Sequence, residues 1–168
     1  MVSGTERQTW QQQAEEISPE NLLRFGKTIV IAPHPDDESL GCGGTIALLR
    51  KAGLPVHVIF VSDGTLSHPN SKKYPAEKLR ELRETEALSA LKILQVDAVN
   101  TSFMRIKDRS VPNPGEAGFE AAINKMLQIF QQFNPDTILV TWEKDPHPDD
   151  ESLGCGGTIA LLRKAGLP

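Results

Sequence analysis

The sequence has few cysteines, no excess of basic residues and no long apolar run, and each shortage excludes a class of protein. Two cysteines, Cys42 and Cys155, predict two reduced thiols, with a single bridge as the open alternative. Lysine and arginine number 18 against 22 acidic residues, so no basic face is expected for nucleic acid or anionic lipid. No apolar run approaches the ~20 residues of a membrane span, and residues 1–16 lack a signal-peptide apolar segment. We therefore expect a cytoplasmic protein.

The chain has 168 residues, which fits one domain with a hydrophobic core. A polar, Gln- and Glu-rich stretch at residues 1–17 is predicted to be a loose arm. Apolar, β-branched runs then predict strands at 28–32, 56–61, 98–104 and 137–142. Helical patterns fall at 45–52, 77–94 and 119–133, after a short helix that starts at Ser18-Pro19 and ends by Gly26. This alternation predicts an α/β domain, a mostly parallel sheet covered by helices on both faces.

Polar residues follow each predicted strand. They are His34 to Glu38, Asp63, Arg105 to Asp108, and Glu143 to Asp150. In a parallel sheet these ends lie at one edge, where open α/β sheets place their sites. A polar loop at residues 66–76 is expected to lie over that edge.

The first of these segments, Pro33-His34-Pro35-Asp36-Asp37-Glu38, holds one imidazole and three carboxylates within five residues. Such a set favours a metal ion, because neighbouring carboxylates repel one another without a cation. The prolines fix φ and restrict the residues before them, which stiffens the loop. A loop capped by its own Asp side chains is the structural alternative.

Ala32-Pro33-His34-Pro35-Asp36-Asp37-Glu38 resembles the opening signature of the LmbE-like, or PIG-L, deacetylases, and the resemblance covers roughly residues 27 to 150. It implies a three-layer Rossmann-like fold and a zinc-dependent N-deacetylase. The implied partner is a small N-acetylated sugar or glycoconjugate of the N-acetylglucosamine type, or a related amide. Substrate identity and oligomeric state do not follow from it.

By this resemblance, His34 and Asp37 match the first two zinc ligands, and Asp36 matches the general base that takes a proton from the attacking water. The family's second motif matches Asp145-Pro146-His147-Pro148-Asp149. There His147 would stabilise the oxyanion and Asp149 would orient an imidazole.

Asp150 stands where family members carry a histidine that is the third zinc ligand. An aspartate in its place would still ligate, but it would shift the preference towards harder metals such as Mn or Mg. If Asp150 does not ligate, the loop histidine His68 is the other candidate for a third ligand. We expect weaker zinc binding than a histidine at position 150 would give.

Five further residues are candidates for substrate binding or for supporting the ligands. Arg83 and Glu86 match an Arg-x-x-Glu pair of the family and share a helix face; an ion pair on the surface is the alternative. Glu38 is equally consistent with a supporting or capping role. Asp63 and Asp108 lie at strand ends, where turn formation alone would also explain them. His57, inside a strand, is expected to be structural.

Residues 146–168 repeat residues 33–55 letter for letter. Twenty-three identical residues are unlike an old structural repeat, and they indicate a recent duplication, a recombination chimera or an assembly error. The copy replaces the C-terminal part that family members carry, and its own helix would span 158–165.

Two other functions stay open at this point. One is a non-catalytic remnant of the family, and the other is a sugar-binding module that uses the same strand ends. A dinucleotide site at Gly41-Cys42-Gly43-Gly44 is disfavoured, because the Gly-x-Gly-x-x-Gly spacing is missing.

Overall fold

A computed structural model describes residues 18–140 of the chain. Four parallel strands form one sheet in the order β3-β2-β1-β4. The strands are β1 (Thr28–Ala32), β2 (Val56–Ser62), β3 (Thr101–Ile106) and β4 (Thr137–Val140). The helices are α1 (Pro19–Leu22), α2 (Asp37–Lys51), α3 (Ala76–Ile93) and α4 (Phe119–Phe133). This is the predicted α/β fold with a parallel sheet.

The helices cover both faces of the sheet, and alternate residues of each inner strand enter different cores. On one face Ile29, Ile31, Ile59 and Val61 pack with α4, through Phe119, Ile123, Met126 and Phe130. On the other face Val30, Val58 and Phe60 pack with α2 and α3, through Ile46, Leu49, Ala87 and Leu91. Because side chains alternate along a strand, continuous apolar runs are what a sheet buried on both faces requires. The three-layer prediction is confirmed.

The strand order changes direction at β1. The chain moves outward from β1 to β2 and β3, then returns to place β4 on the other side of β1. Val140, the last residue of β4, pairs with Ile31, next to the end of β1. The carboxyl ends of β1 and β4 therefore form the switch point at which doubly wound sheets bind ligands.

Helix α2 starts eight residues earlier than predicted, at Asp37 instead of Thr45. Asp37 and Glu38 occupy its first turn, where negative charge favours the positive end of the helix dipole. The amides of Ser39 and Leu40 donate to the Asp36 carbonyl, both at 3.0 Å. The glycines at 41, 43 and 44 therefore lie inside a helix and not in a phosphate-binding loop. Each glycine inside a helix lowers its stability by about 1 kcal/mol relative to alanine.

Strand β3 starts three residues later than predicted. Ala98–Asn100 form a turn of 3-10 helix, closed by the Asn100 amide donating to the Asp97 carbonyl at 2.8 Å. The strand then continues to Ile106, with an irregular register against β2 near its end. The predicted strand began too early because residues 98–100 form this turn before pairing with β2 starts at Thr101.

The remaining elements agree with prediction to within two residues where the structure describes them. Ser18 caps α1 by accepting from the Asn21 amide, and Gly26 ends that segment with a φ of 57°. Between residues 18 and 140, no helix is long and apolar enough to cross a membrane. The predicted arm at 1–17, the end of the fourth strand and the copied segment at 146–168 lie outside the described residues.

Candidate active site

His34 leaves the end of β1 and lies between two carboxylates. Its Nδ1 is 3.4 Å from Asp37 Oδ2, and its Nε2 is 3.3 Å from Asp108 Oδ1. The imidazole is only 16% exposed. Burial alone would lower its pKa, but hydrogen bonds to Asp108 and Asp37, and their charges, raise the pKa to about 10. The two carboxylates therefore give the imidazole a strongly anionic environment.

Asp63 follows β2 and Asp108 follows β3, and a hydrogen bond between these two residues connects the strand ends next to His34. Asp63 Oδ1 accepts from the Asp108 amide at 3.0 Å and from the Thr65 amide and hydroxyl at 3.1 and 2.8 Å. Asp108 Oδ2 accepts from the Leu66 amide at 3.0 Å. The hydrogen bond with His34 lowers the pKa of Asp108 although burial opposes it. Both carboxylates therefore brace the loops that carry the site.

Asp36 has backbone angles outside the favoured regions, with φ 155° and ψ −27°. Its amide donates to Glu38 Oε2 at 3.0 Å, and its side chain, 53% exposed, faces Arg83. Partial burial raises the pKa of Asp36, while the Arg83 charge opposes that rise. Strained residues held by their surroundings cluster at active sites.

Arg83 ties helix α3 to this loop with three contacts. One terminal nitrogen donates to Asp36 Oδ2 at 2.7 Å and to the Pro35 carbonyl at 3.1 Å, and the other donates to the Gly64 carbonyl at 3.3 Å. Gly64 has a φ of 61°, and a Cβ there would lie 2.9 Å from the guanidinium. Glycine at position 64 therefore leaves room for the Arg83 guanidinium beside this turn.

Glu38 is buried, with 1% of its surface exposed. Its carboxylate accepts from the Asp36 amide and from the Ser39 hydroxyl at 2.6 Å. Burial raises its pKa, although these hydrogen bonds oppose the rise. The structure places Glu38 as a support for the strained loop.

The pair His34–Asp37 has the spacing of two ligands on one metal ion. Zinc bonds of about 2.0–2.2 Å in a tetrahedral site put donor atoms about 3.4 Å apart, and Nδ1 and Oδ2 are 3.4 Å apart. With Asp108 on Nε2, the imidazole also has the second carboxylate that metal-binding histidines usually carry. Within residues 18–140, no group of three His, Cys, Asp or Glu side chains is arranged to hold a metal.

The structure brings together seven of the residues predicted from the sequence: His34, Asp36, Asp37, Glu38, Asp63, Arg83 and Asp108. Glu86 is exposed on the same helix face as Arg83. His57 is structural as predicted: it contacts Ser102 Oγ at 2.9 Å, and burial lowers its pKa. Cys42 is a half-buried thiol that packs on the α2–α3 core. The predicted roles of His147, Asp149 and Asp150 fall outside the described residues.

A cleft of about 690 Å³ opens beside Asp36 and Arg83. Its wall is mainly apolar, and it includes residues that sequence analysis missed, among them Leu40, Tyr74 and Leu82. The loop residues Ser67, His68 and Ser71 also line it, so the loop at 66–76 does lie over the site. The sequence held one signal for this cleft, because Tyr74 is the only tyrosine of the chain and lies in the otherwise polar loop at 66–76.

A doubly wound parallel sheet with a His-Asp pair and a strained carboxylate at its switch point places the chain in the Rossmann-like class of α/β proteins. The chain belongs to the PIG-L family: the family model described as GlcNAc-PI de-N-acetylase matches residues 29–146.

Two curated relatives are deacetylases. A Bacillus subtilis protein, the probable N-acetyl-alpha-D-glucosaminyl L-malate deacetylase 2, is 30% identical over 81% of this chain and 61% of its own length. The diacetylchitobiose deacetylase of Thermococcus kodakarensis is 29% identical over 84% of this chain and 51% of its own length. The chain thus spans between half and two thirds of these relatives.

Solved structures share the fold. The N,N'-diacetylchitobiose deacetylase of Pyrococcus horikoshii superposes with a TM-score of 0.71 and 22% identity, over all of this chain and 61% of that one. GalB, a 4-carboxy-2-hydroxymuconate hydratase of Pseudomonas putida, gives 0.65 and 24%, over 83% and 55%. A zinc-inhibited form of the teicoplanin deacetylase Orf2 gives 0.63 and 18%, over 84% and 65%. Because deacetylases and a hydratase share it, the fold alone does not fix the reaction.

Proposed function

We propose that this protein is a metal-dependent N-deacetylase that removes the acetyl group from an N-acetylglucosamine-type sugar or a related amide. The observation that carries the proposal is the His34–Asp37 donor pair, 3.4 Å apart, beside the strained carboxylate of Asp36 at the switch point. Membership of the PIG-L family and the deacetylase activities of the two relatives support the substrate class.

Zinc is the proposed metal, held by His34, Asp37 and Asp150. Nitrogen and carboxylate donors are ordinary zinc ligands, and a catalytic site needs three of them with one position left open. Bound there, the ion would supply a Lewis acid for the amide carbonyl and the attacking water.

Asp36 is the proposed general base. Its carboxylate would take a proton from water as the water oxygen attacks the acetyl carbon. The same group would then give that proton to the departing nitrogen, so that the C–N bond breaks to acetate and a free amine. Arg83 at 2.7 Å and the Glu38 carboxylate on the Asp36 amide hold the base in place.

His147 is the proposed donor to the oxyanion, with Asp149 orienting an imidazole. A well-placed donor of this kind contributes about 3 kcal/mol to transition-state stabilisation. Asp63 and Asp108 serve the reaction by fixing the loops, since both of their carboxylates accept backbone amides. Arg83 and Glu86 face the cleft, where sugar hydroxyls would bind.

The test is acetate release from N-acetylglucosamine glycosides by the zinc-loaded full chain, compared with its Asp36→Asn variant. Removing a general base typically costs 10²–10⁴-fold in rate, so the variant should lose at least about a hundredfold in kcat. Zinc content by elemental analysis should be about one per chain in both proteins and absent in His34→Ala. If the loaded chain releases no acetate, the site is a remnant or a sugar-binding module; if it binds no zinc, the metal assignment is wrong.

A further inference from the structure

The cleft beside Asp36 is larger than the reacting group of the proposed substrate requires. Its volume of about 690 Å³ lies in the middle of the ~300–1,000 Å³ range of sites that take drug-sized ligands. Asp36 lies in the loop between β1 and α2 (residues 33–36, here called the catalytic loop) and lines this cleft. Glu38 and Arg83, which both contact Asp36, line the cleft as well. His34 and Asp37 do not line it. A ligand in the cleft would therefore extend from the catalytic loop away from the metal ligands.

The long wall of the cleft is one face of α3. Leu79, Leu82, Arg83, Glu86, Ala87 and Ala90 line it, at intervals of three and four residues. With a rise of 1.5 Å per residue, Leu79 to Ala90 covers about 16 Å along the helix. Apart from Arg83 and Glu86 this face is apolar, so most of it offers no partner for sugar hydroxyls.

Leu40 adds an unburied apolar side chain from α2. It lines the cleft and is 83% exposed, in the second turn of the helix that begins at the catalytic loop. A lone exposed leucine is common, but this one borders the same space as Leu82 and Tyr74. Covering these side chains with an apolar group would remove their surface from water, which favours binding.

We propose that this cleft binds an apolar or aryl group carried by the acetamido sugar. The inference rests on the proposed deacetylase function, because it takes Asp36 as the point where the acetamido group reacts. The polar members of the wall fit the sugar ring near Asp36, and the apolar members fit the group attached to it.

The experiment compares two substrates with the same reacting group, the methyl and the phenyl glycosides of N-acetylglucosamine. For the full chain, kcat/KM for the phenyl glycoside should exceed that for the methyl glycoside by at least about tenfold. In Leu40→Gln this ratio should fall towards one. Leu48→Gln is the matched control, since Leu48 lies on the same helix, is 47% exposed and does not line the cleft. The control should keep the ratio of the native chain.

Calorimetric titration with both glycosides separates this inference from the function on which it rests. If no acetate is released but the phenyl glycoside binds at least about tenfold more tightly, and Leu40→Gln removes the difference, the cleft assignment stands and the deacetylase proposal fails. Deacetylation of both glycosides at equal kcat/KM would leave the function standing and overturn the cleft assignment. A preference for the phenyl glycoside that survives in Leu40→Gln would also overturn it.

Discussion

Asp108 shows how one buried carboxylate connects the fold to the proposed metal site. It lies 74 residues from His34 in the chain and accepts from the Leu66 amide while contacting Nε2 of the imidazole. A carboxylate on one ring nitrogen fixes the tautomer and the orientation in which the other nitrogen can meet a metal. Asp108 is therefore a positioning residue for His34.

Replacing Asp108 with asparagine should weaken zinc binding by about 10–100-fold, the usual effect of losing such a partner. Titration of the metal-free chain against a competing chelator measures it, with thermal unfolding as a check on the fold. Asp97→Asn is the control, because Asp97 is exposed before β3. Equal zinc dissociation constants for Asp108→Asn and the native chain would show that the contact has no such role.

Arg83 is predicted to act through the shape of its guanidinium and not through charge alone. Its two terminal nitrogens reach three acceptors, Asp36 Oδ2 and the carbonyls of Pro35 and Gly64. A lysine keeps the charge but lacks the planar fork. Arg83→Lys should therefore lower kcat for deacetylation by at least about tenfold, with zinc affinity unchanged.

Arg80→Lys is the matched control for this change, because Arg80 pairs with Glu77 and Glu84 on the same helix. It should keep kcat within about twofold. Full activity in Arg83→Lys would mean that the loop at Asp36 keeps its conformation without the planar guanidinium group of Arg83.

At the scale of elements, the sequence predicted the strands better than the loops. Strand β1 and helix α4 have the predicted bounds, because unbroken apolar runs and a 3.6-residue period depend on local chain geometry. The start of α2 and the Asp108–His34 contact were not predictable. The first depends on competing local energies, and the second on which strands become neighbours.

Within residues 18–140, α4 is the helix that packs on its face of the sheet, so its buried side chains should be costly to remove. Phe130 is 6% exposed within the core that joins α4 to β1 and β2. Phe130→Ala should lower the free energy of unfolding by about 3–5 kcal/mol. Urea denaturation measures this, and exposed Gln131→Ala should change it by less than about 0.5 kcal/mol.

His57 links β2 to β3 and α4, through Ser102 and the Phe133 ring at 5.4 Å. Burial lowers its pKa, so below pH ~6.5 the unfolded chain takes up a proton that the folded chain refuses. The contribution of His57 to the free energy of unfolding should therefore fall as pH falls from about 7 to 5. In His57→Gln part of this pH dependence should vanish, whereas His68→Gln should keep it. An identical slope in all three proteins would contradict the assignment.

At the scale of the whole molecule, the proposed site combines two parts of the chain. His34, Asp36 and Asp37 follow β1, whereas His147 and Asp150 belong to the stretch that comes after β4. Because β4 pairs with β1, its end lies at the same edge as the catalytic loop. That pairing supports a site built from both parts, and it makes position 150 decisive for the metal.

Asp150→His tests this directly. The resemblance to the PIG-L deacetylases implies a histidine at this position. Zinc binds imidazole nitrogen well, whereas hard divalent ions such as Mn²⁺ prefer oxygen donors. The substitution should tighten zinc binding by at least tenfold and should not tighten Mn²⁺ binding equally. Asp145→His is the control for an added imidazole in the same stretch and should leave zinc affinity unchanged. Equal zinc affinity in the native chain and Asp150→His would show that position 150 does not ligate.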